Sequence, residues 1–403
     1  MRVPAIVRVL SWKITPRDGT LRQSSLKPAH PRAANRTISM EPWLLTLALA
    51  ERAVGLTDPN PRVGCVIVSA DGATVLGQGH TQAAGGPHAE VMALRDAQAR
   101  GADVRGATVY VTLEPCAHHG RTPPCCDALV AAGVGRVEIA LGDPNPLVNG
   151  QGTARIAAAG IAVGHAPAEI ARRARELNIG FFARMERGRP WVRMKIAASL
   201  DGRTALPNGL SQWITGPEAR VDGHAFRRRA GAVLTGIGTV LADDPSLDVR
   251  LVETARQPMR CVVDARLDTP PTARLFESPS PVLLFTASAD AARRAALAAR
   301  GAELVDVPAH AGRLDLEAVL DALAARHVNE VHVEAGARLN GALLRTGRVD
   351  ELLAYLAPTL LGEGRGMAAL GALESLSQGL AFDFHDAAKV GTDLRILART
   401  RVA

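Results

Sequence analysis

Three side chains with an appetite for zinc lie close together in the sequence. His88-Ala89-Glu90 is followed by Pro115-Cys116 and then by Cys125. Zinc prefers thiolate and imidazole donors in tetrahedral geometry, and a catalytic zinc takes three protein ligands and leaves its fourth position to water. His88, Cys116 and Cys125 make such a set. His118, His119 and Cys126 are rival donors in the same stretch. Pro123 and Pro124 favour a helix start there, which puts Cys125 in a first helical turn, where the N-terminal dipole lowers a thiol pKa and favours the thiolate. The bland alternative is a group of buried cysteines beside surface histidines.

Glu90 sharpens the zinc reading. A carboxylate two residues after a histidine ligand can carry protons between the metal-activated water, a ring nitrogen and a leaving amine. The zinc-deaminase signature H-x-E…P-C-x-x-C has this first half, but here the cysteines are spaced C-x8-C. Two other classes compete. A closed structural zinc site would recruit a fourth ligand and have no use for Glu90. A nucleic-acid deaminase would need a basic body to neutralise phosphates.

The charge distribution argues against that second rival. The chain of 403 residues has a net charge of +7, but residues 1–39 carry eight basic side chains against Asp18 alone, and the remaining body is balanced. Polyanion binding, and with it a nucleic-acid partner, is not expected. No apolar run approaches the roughly 18 residues of a membrane helix, which excludes a membrane-spanning protein. Five cysteines are too few and too odd for a disulfide scaffold and suggest a reducing, cytoplasmic setting. Residues 1–39 read as a disordered basic tail, or as a leader ahead of a true start at Met40. A transit peptide is the alternative, without the apolar core or cleavage site of a secretory signal.

The elements that must position these residues alternate in type. A helix begins near Pro42; residues 63–69 and 74–79 read as strands about the turn Ala70-Asp71-Gly72; a helix runs from His88 to Arg100 and stops at Gly101. A strand at 107–112, a helix closed by Gly133, a strand at 136–141 and two further helix–strand units carry the pattern to about residue 187. The polar run 186–190 marks a boundary. Beyond it, strands are expected at 191–198, 231–235, 259–264, 281–286, 330–334 and 349–356. Both halves therefore read as α/β with a central sheet, the first over 40–187 and the second over 190–403. The tetrapeptide Asp-Pro-Asn-Pro occurs at 58–61 and again at 143–146, each copy at a strand end, where turn chemistry is the default explanation.

The second half carries no full dinucleotide fingerprint. Gly236-Ile237-Gly238 lacks the third glycine. The run 330–342 is more suggestive, because a strand leads into Gly336 and then into helical residues, a turn that lets backbone N–H groups approach a pyrophosphate. An ordinary glycine turn explains it equally well.

The run VTLEPCAHHGRTPPCCDALVAAGV resembles the deaminase half of the bifunctional riboflavin-biosynthesis deaminase–reductase family, in which the longer spacing between the cysteines is standard. DPNPRVGCVIV fits the same half. The second half repeats that family's reductase motifs in order: Lys195 to Arg203, Ser211 to Thr215, Thr239 to Pro245, Leu247 to Arg250, and Val333 to Gly336. The resemblance covers about residues 40–403. It implies a cytidine-deaminase-like α/β/α domain followed by a dihydrofolate-reductase-like α/β domain. It implies zinc on His88, Cys116 and Cys125, with Glu90 as proton shuttle and Asn60 at the substrate sugar. NADPH contacts would fall on Ala197, Trp213, Thr239, Asp243 and the loop Gly336, Ala337, Arg338, Leu339, Asn340, Gly341 and Ala342. Ser211, Arg227, Leu247, Arg250 and Glu334 would meet the phosphoribosylated pyrimidine substrate. The family resemblance further implies a homo-oligomer formed through the reductase domain.

Elementary chemistry supports some of these implied roles. Guanidinium forks suit phosphate oxygens, though in Arg227-Arg228-Arg229 two of the three could be solvated face. Lys195 is one of four lysines in a chain that otherwise uses arginine, and a small ammonium near the reacting centre would explain its retention; chance survival would explain it as well.

Overall fold

Apolar spacing and Pro42 set the first helix, α1 (Met40–Arg52), which buries Trp43, Leu47 and Ala50 on one stripe. A computed structural model describes residues 40–118, 123–145 and 149–401; the basic segment 1–39 and His119 lie outside the described residues. After α1 come β1 (Gly64–Val68), β2 (Val75–His80), α2 (Ala89–Ala99), β3 (Thr108–Val111), α3 (Cys125–Ala131), β4 (Arg136–Ile139), α4 (Gln151–Ala158), β5 (Ala162–His165), α5 (Ala168–Leu177) and α6 (Ile179–Arg187). The sheet order is β2-β1-β3-β4-β5, antiparallel at β2-β1-β3 and parallel from β3 to β5. Side-chain alternation along β1 assigns the two faces. Cys65 and Ile67 pack with Ala89, Ala93, Cys126 and Leu129, whereas Val66 and Val68 pack with Leu49 of α1. The result is the α/β/α sandwich expected.

One local expectation fails. After β5 the chain forms two consecutive helices, α5 and α6, instead of a helix and a strand. Apolar residues in 179–183 are buried, but they lie on a helix, which a short apolar run cannot announce by periodicity alone.

The second sheet is larger. Its elements are β6 (Trp191–Ser199), β7 (Arg203–Ala205), α7 (Pro217–Arg229), β8 (Ala232–Gly236), α8 (Ile237–Asp243), β9 (Met259–Val263), β10 (Val282–Thr286), α9 (Ala291–Ala298), β11 (Ala302–Asp306), β12 (Ala309–His310), β13 (Arg313–Leu314), α10 (Leu316–Ala325), β14 (Glu330–Val333), α11 (Ala337–Arg345), β15 (Glu351–Ala357), β16 (Arg365–Gly366), β17 (Phe382–Val390) and β18 (Asp393–Thr400). Nine strands run β11-β10-β9-β8-β14-β6-β15-β18-β17. The seven from β11 to β15 are parallel, and the β17–β18 hairpin adds antiparallel to β15. All six expected strands are present within a residue or two. The hairpin was missed, because β17 is exposed along most of its length and reads as polar.

The two halves meet through buried charge. Glu330 at the start of β14, 1% exposed, pairs with Arg62 at 2.8 Å, Arg193 at 2.8 Å and Arg229 at 3.5 Å. Arg193 also pairs with Glu351, and Arg399 bridges Glu351 to Glu176. Asn178 accepts from the Arg62 backbone N–H and donates to the Arg62 carbonyl. Arg229 is therefore no solvated face residue, as its place in an arginine run suggested; it closes this junction. Among the described residues no helix is long and apolar enough to cross a membrane.

Candidate active sites

Helix α2 lies flush on β2 because β2 carries Gly77 and Gly79. A Cβ on Gly77 would come within 2.2 Å of the Ala93 carbonyl, and one on Gly79 within 2.5 Å of the Met92 Cβ. This close seat fixes the helix start, where His88 is the extended N-cap and Glu90 sits in the first turn. Cys116 follows β3 on a short loop, and Cys125 opens α3. The Cys116 Sγ lies 3.5 Å and the Cys125 Sγ 3.3 Å from the His88 Nδ1, and all three donor atoms fall within 4.8 Å of one another. The Cys125 backbone N–H points at the Cys116 Sγ, 3.4 Å away.

One imidazole and two thiols at this spacing fit zinc. Hydrogen bonds from Cys125 and from His88 draw the Cys116 thiol down against the effect of burial, while the Cys116 side chain and burial push Cys125 up. Zinc binds such side chains as thiolates and neutral imidazole, so loading this cluster would release thiol protons. Two of the rival donors are placed elsewhere. Cys126 is buried in the apolar core with its Sγ toward Asp127 at 3.7 Å, and His118 lines the adjoining cavity outside the three-donor cluster.

Glu90 is 3% exposed. Burial, and then the neighbouring Cys116, push it up to about 7. A carboxyl that ionises near neutrality can both take and return a proton. It opens onto a cavity of about 470 Å³ that Asn60 and His88 also line. Both Asp-Pro-Asn-Pro copies reach this cavity: Asn60 comes from the first, and Asp143 and Asn145 from the second. The default turn reading missed this convergence, and the repeated tetrapeptide at two strand ends was the available signal. Burial pushes Asp143 up to about 6. Glu114, from the run before Cys116, shapes the wall by accepting from the backbone N–H groups of Asp143, Gly150 and Thr153. Arg184 and His327 also line it, and nothing in the sequence pattern pointed to either.

The second site gathers at the carboxyl ends of the parallel strands. Register pairs Leu234 with Val333 and Val333 with Met194, so Gly236, Glu334, Gly336, Lys195 and Ala197 share one edge of the sheet. Ligands of open parallel sheets bind at this edge. Gly236 and Gly336 are extended N-caps of α8 and α11, neither with a side-chain cap. A Cβ on Gly336 would meet nothing within 4 Å. First-turn N–H groups beside open space suit a pyrophosphate, so the edge fits a dinucleotide. Thr239 and Asp243 lie on α8.

Residues 336–342 form a cap and a helix rather than a loop, since Gly336 is extended and α11 starts at Ala337. Asn340 and Gly341 turn inward. The Asn340 Nδ2 donates to the Met367 carbonyl, and a Gly341 Cβ would come within 2.1 Å of the Ala369 carbonyl. Ala337, Arg338, Leu339 and Ala342 are partly or fully open.

Arg227 is committed within the protein. Its Nε donates to Glu334 at 2.7 Å and its Nη2 at 2.8 Å, and its Nη1 donates to the Asp248 carbonyl. Two residues read separately as substrate contacts are thus one ion pair. Against burial, Arg227, His332 and Lys195 hold Glu334 well below the usual carboxylate range. Burial lowers Lys195 from the ordinary lysine value. Leu247 is buried with a left-handed backbone, φ 55°. Arg250 is exposed and paired with Asp248 at 2.7 Å. Ser211 and Trp213 lie on the segment before α7; Trp213 is 66% exposed, with the Arg220 guanidinium 4.4 Å from its ring.

Two family models divide the chain. Residues 40–141 match the cytidine and deoxycytidylate deaminase zinc-binding region, and residues 190–396 match the RibD C-terminal domain. Together with the two sites, they define a zinc-dependent deaminase fused to an NADPH-dependent reductase. Relatives that span nearly the whole chain narrow the class. The riboflavin biosynthesis protein RibD of Escherichia coli is 46% identical over 86% of this chain and 95% of its own length, and that of Aquifex aeolicus is 38% identical over 90% and 98%. The solved structure of Acinetobacter baumannii RibD superposes with a TM-score of 0.81 at 41% identity, covering 90% of this chain and 99% of that one. A Thermotoga maritima structure described as a diaminohydroxyphosphoribosylaminopyrimidine deaminase/5-amino-6-(5-phosphoribosylamino)uracil reductase gives 0.79 at 32%, covering 89% and 98%. The chain belongs to the RibD family and is a bifunctional deaminase and reductase of riboflavin biosynthesis.

Proposed function

We propose that the first half removes the 2-amino group of 2,5-diamino-6-(5-phosphoribosylamino)pyrimidin-4-one as ammonia, and that the second half reduces the ribosyl chain of that product to ribityl with hydride from NADPH. The reading rests most on one observation: a buried glutamate, two residues after a histidine, opens onto the cavity beside an imidazole and two thiols. His88, Cys116 and Cys125 would hold zinc, which supplies when bound a Lewis acid and an activated water. Glu90 would carry one proton from the attacking water to the ring nitrogen and a second, from the hydroxyl then left on the carbon, to the departing amine. Its elevated pKa supports both transfers. Asn60 holds the sugar.

In the second half, Ala197, Trp213, Thr239, Asp243 and residues 336–342 serve NADPH. The open cap at Gly336 supports this, while Asn340 and Gly341 act by fixing α11 against residues 367–369. Glu334, held by Arg227, orients the sugar beside Lys195; Ser211, Leu247 and Arg250 complete the substrate contacts, with the exposed Arg250 suited to phosphate. A division at residues 187–190, a cytoplasmic location and self-association through the reductase half belong to the same reading. Exposed Phe384 and Leu394 on the outer hairpin support the last.

Turnover with both substrates tests this. The zinc-loaded protein should release one ammonia and oxidise one NADPH per pyrimidine. A chelator should stop ammonia release while reduction of the deaminated intermediate continues. Ammonia release that survives complete metal removal would contradict the zinc role.

A further inference from the structure

The deaminase cavity is not built by the deaminase sheet alone. Arg184 projects from α6, and the turn between α10 and β14, which belongs to the reductase half, adds His327 to the lining. The Arg184 Nε donates to the Asn329 Oδ1 at 2.7 Å. Asn329 is 4% exposed and is itself fixed, donating to the Pro59 carbonyl at 2.9 Å, one residue before Asn60. The guanidinium is therefore aimed, and its two terminal nitrogens have no hydrogen-bond partner among the described residues.

Its charge is also left over. Among the described residues no carboxylate stands within ion-pair range of Arg184. Asp58, the carboxylate whose charge acts on Arg184, is itself paired with Arg62 at 3.7 Å and Arg256 at 3.3 Å. Around the metal donors the cavity is acidic, with Glu90 and Asp143. A ligand with a neutral ring and an anionic end would orient itself: ring toward Glu90, anion toward Arg184. A fork with free N–H groups on a fixed stem suits phosphate oxygens.

We propose that Arg184, oriented by Asn329 of the reductase half, is the subsite for the 5-phosphate of the pyrimidine in the deaminase cavity. This deepens the function proposed above and rests on it. Arg184 is a binding residue, and Asn329 a positioning residue that acts through it. The deaminase site is then complete only when the reductase half is docked.

Deamination kinetics of R184A, R184K and N329A test the assignment, with the phosphorylated substrate and with its dephosphorylated analogue. Loss of charge-assisted hydrogen bonds should raise the R184A KM for the phosphorylated substrate about 10- to 100-fold, with kcat little changed. The dephosphorylated analogue should be deaminated equally by R184A and wild type. R184K should recover part of the loss and N329A should show a smaller one. Ribose 5-phosphate should inhibit deamination by the wild type but not by R184A. Reduction of the deaminated intermediate by each variant reports that the fold is intact. Equal losses on both substrates, or an unchanged KM in R184A, would overturn the assignment. A wild-type protein that releases no ammonia would overturn the underlying function, and this assignment with it.

Discussion

Replacing Glu330 by glutamine removes one negative charge from the most buried ion cluster in the structure. Three guanidiniums, those of Arg62, Arg193 and Arg229, lie 2.8–3.5 Å from a carboxylate that is 1% exposed. The amide keeps the shape and some hydrogen bonding, but Arg229 loses its ion-pair partner and Arg62 keeps only Asp58. Breaking a buried pair by removing one partner costs about 3–5 kcal/mol. In a chain of this size, where each kcal/mol moves the midpoint by little more than about 1 °C, Tm should fall about 4–6 °C. The pH dependence is the sharper signature. Against burial, Arg229, Arg62 and Arg193 hold Glu330 far below the usual carboxylate range. A depressed folded-state pKa contributes stability that is complete above the unfolded value, about 4.5, and is lost as pH falls toward the folded one. Thermal unfolding of wild type and E330Q should therefore show a full gap at pH 7 that narrows progressively below pH 4.5. E169Q, at an exposed pair with Arg172, should not shift the midpoint measurably. A gap that is absent at pH 7, or equally large at pH 3, would refute the reasoning.

Zinc content should discriminate between the adjacent cysteines: C125S should lose the metal by atomic absorption, and C126S, with its thiol in the apolar core, should retain it. Because Arg227 and Glu334 form one bidentate pair, R227A and E334Q should each impair reduction, and the double variant should be little worse than either. A double-mutant cycle on kcat/KM should give a coupling of about 1–3 kcal/mol, and additivity would separate the two residues. G341A should destabilise the protein despite the better helix propensity of alanine, worth about 1 kcal/mol. Its Cβ would meet the Ala369 carbonyl at 2.1 Å, and overpacking of this kind costs about 1–3 kcal/mol. Thermal unfolding, with NADPH titration alongside, checks the sign.

The cluster of His88, Cys116 and Cys125 was legible in the sequence because ligand chemistry restricts residue types, and one imidazole and two thiols stood out from the surrounding apolar pattern. Choosing Cys125 over Cys126 needed the helix start that Pro123 and Pro124 announce. Strands β8 and β10 were legible as near-continuous apolar runs, as a parallel sheet covered on both faces demands, and β6, β9 and β14 as short runs rich in apolar residues interrupted by single charged or polar ones. The β17–β18 hairpin was not, because an exposed edge strand has no apolar face to show. Arg184, Asn329 and His327 were illegible for a different reason. Their role depends on where one half docks on the other, and no local pattern encodes that. Arg227 was read as a substrate contact and proved to be paired with Glu334, a partner 107 residues away. Its type suggested an anion, but only the fold showed which anion lies nearest.

The central claim is that one chain performs two chemically distinct steps in order, with Glu90 serving only the first. E90Q tests it directly. With the diamino substrate and NADPH, the zinc-loaded variant should release ammonia at least about 10²- to 10⁴-fold more slowly than wild type and oxidise NADPH no faster than it deaminates. Given the deaminated intermediate, it should oxidise NADPH at the wild-type rate. Wild-type NADPH oxidation by E90Q from the diamino substrate would contradict the account, as would loss of reduction with the deaminated intermediate.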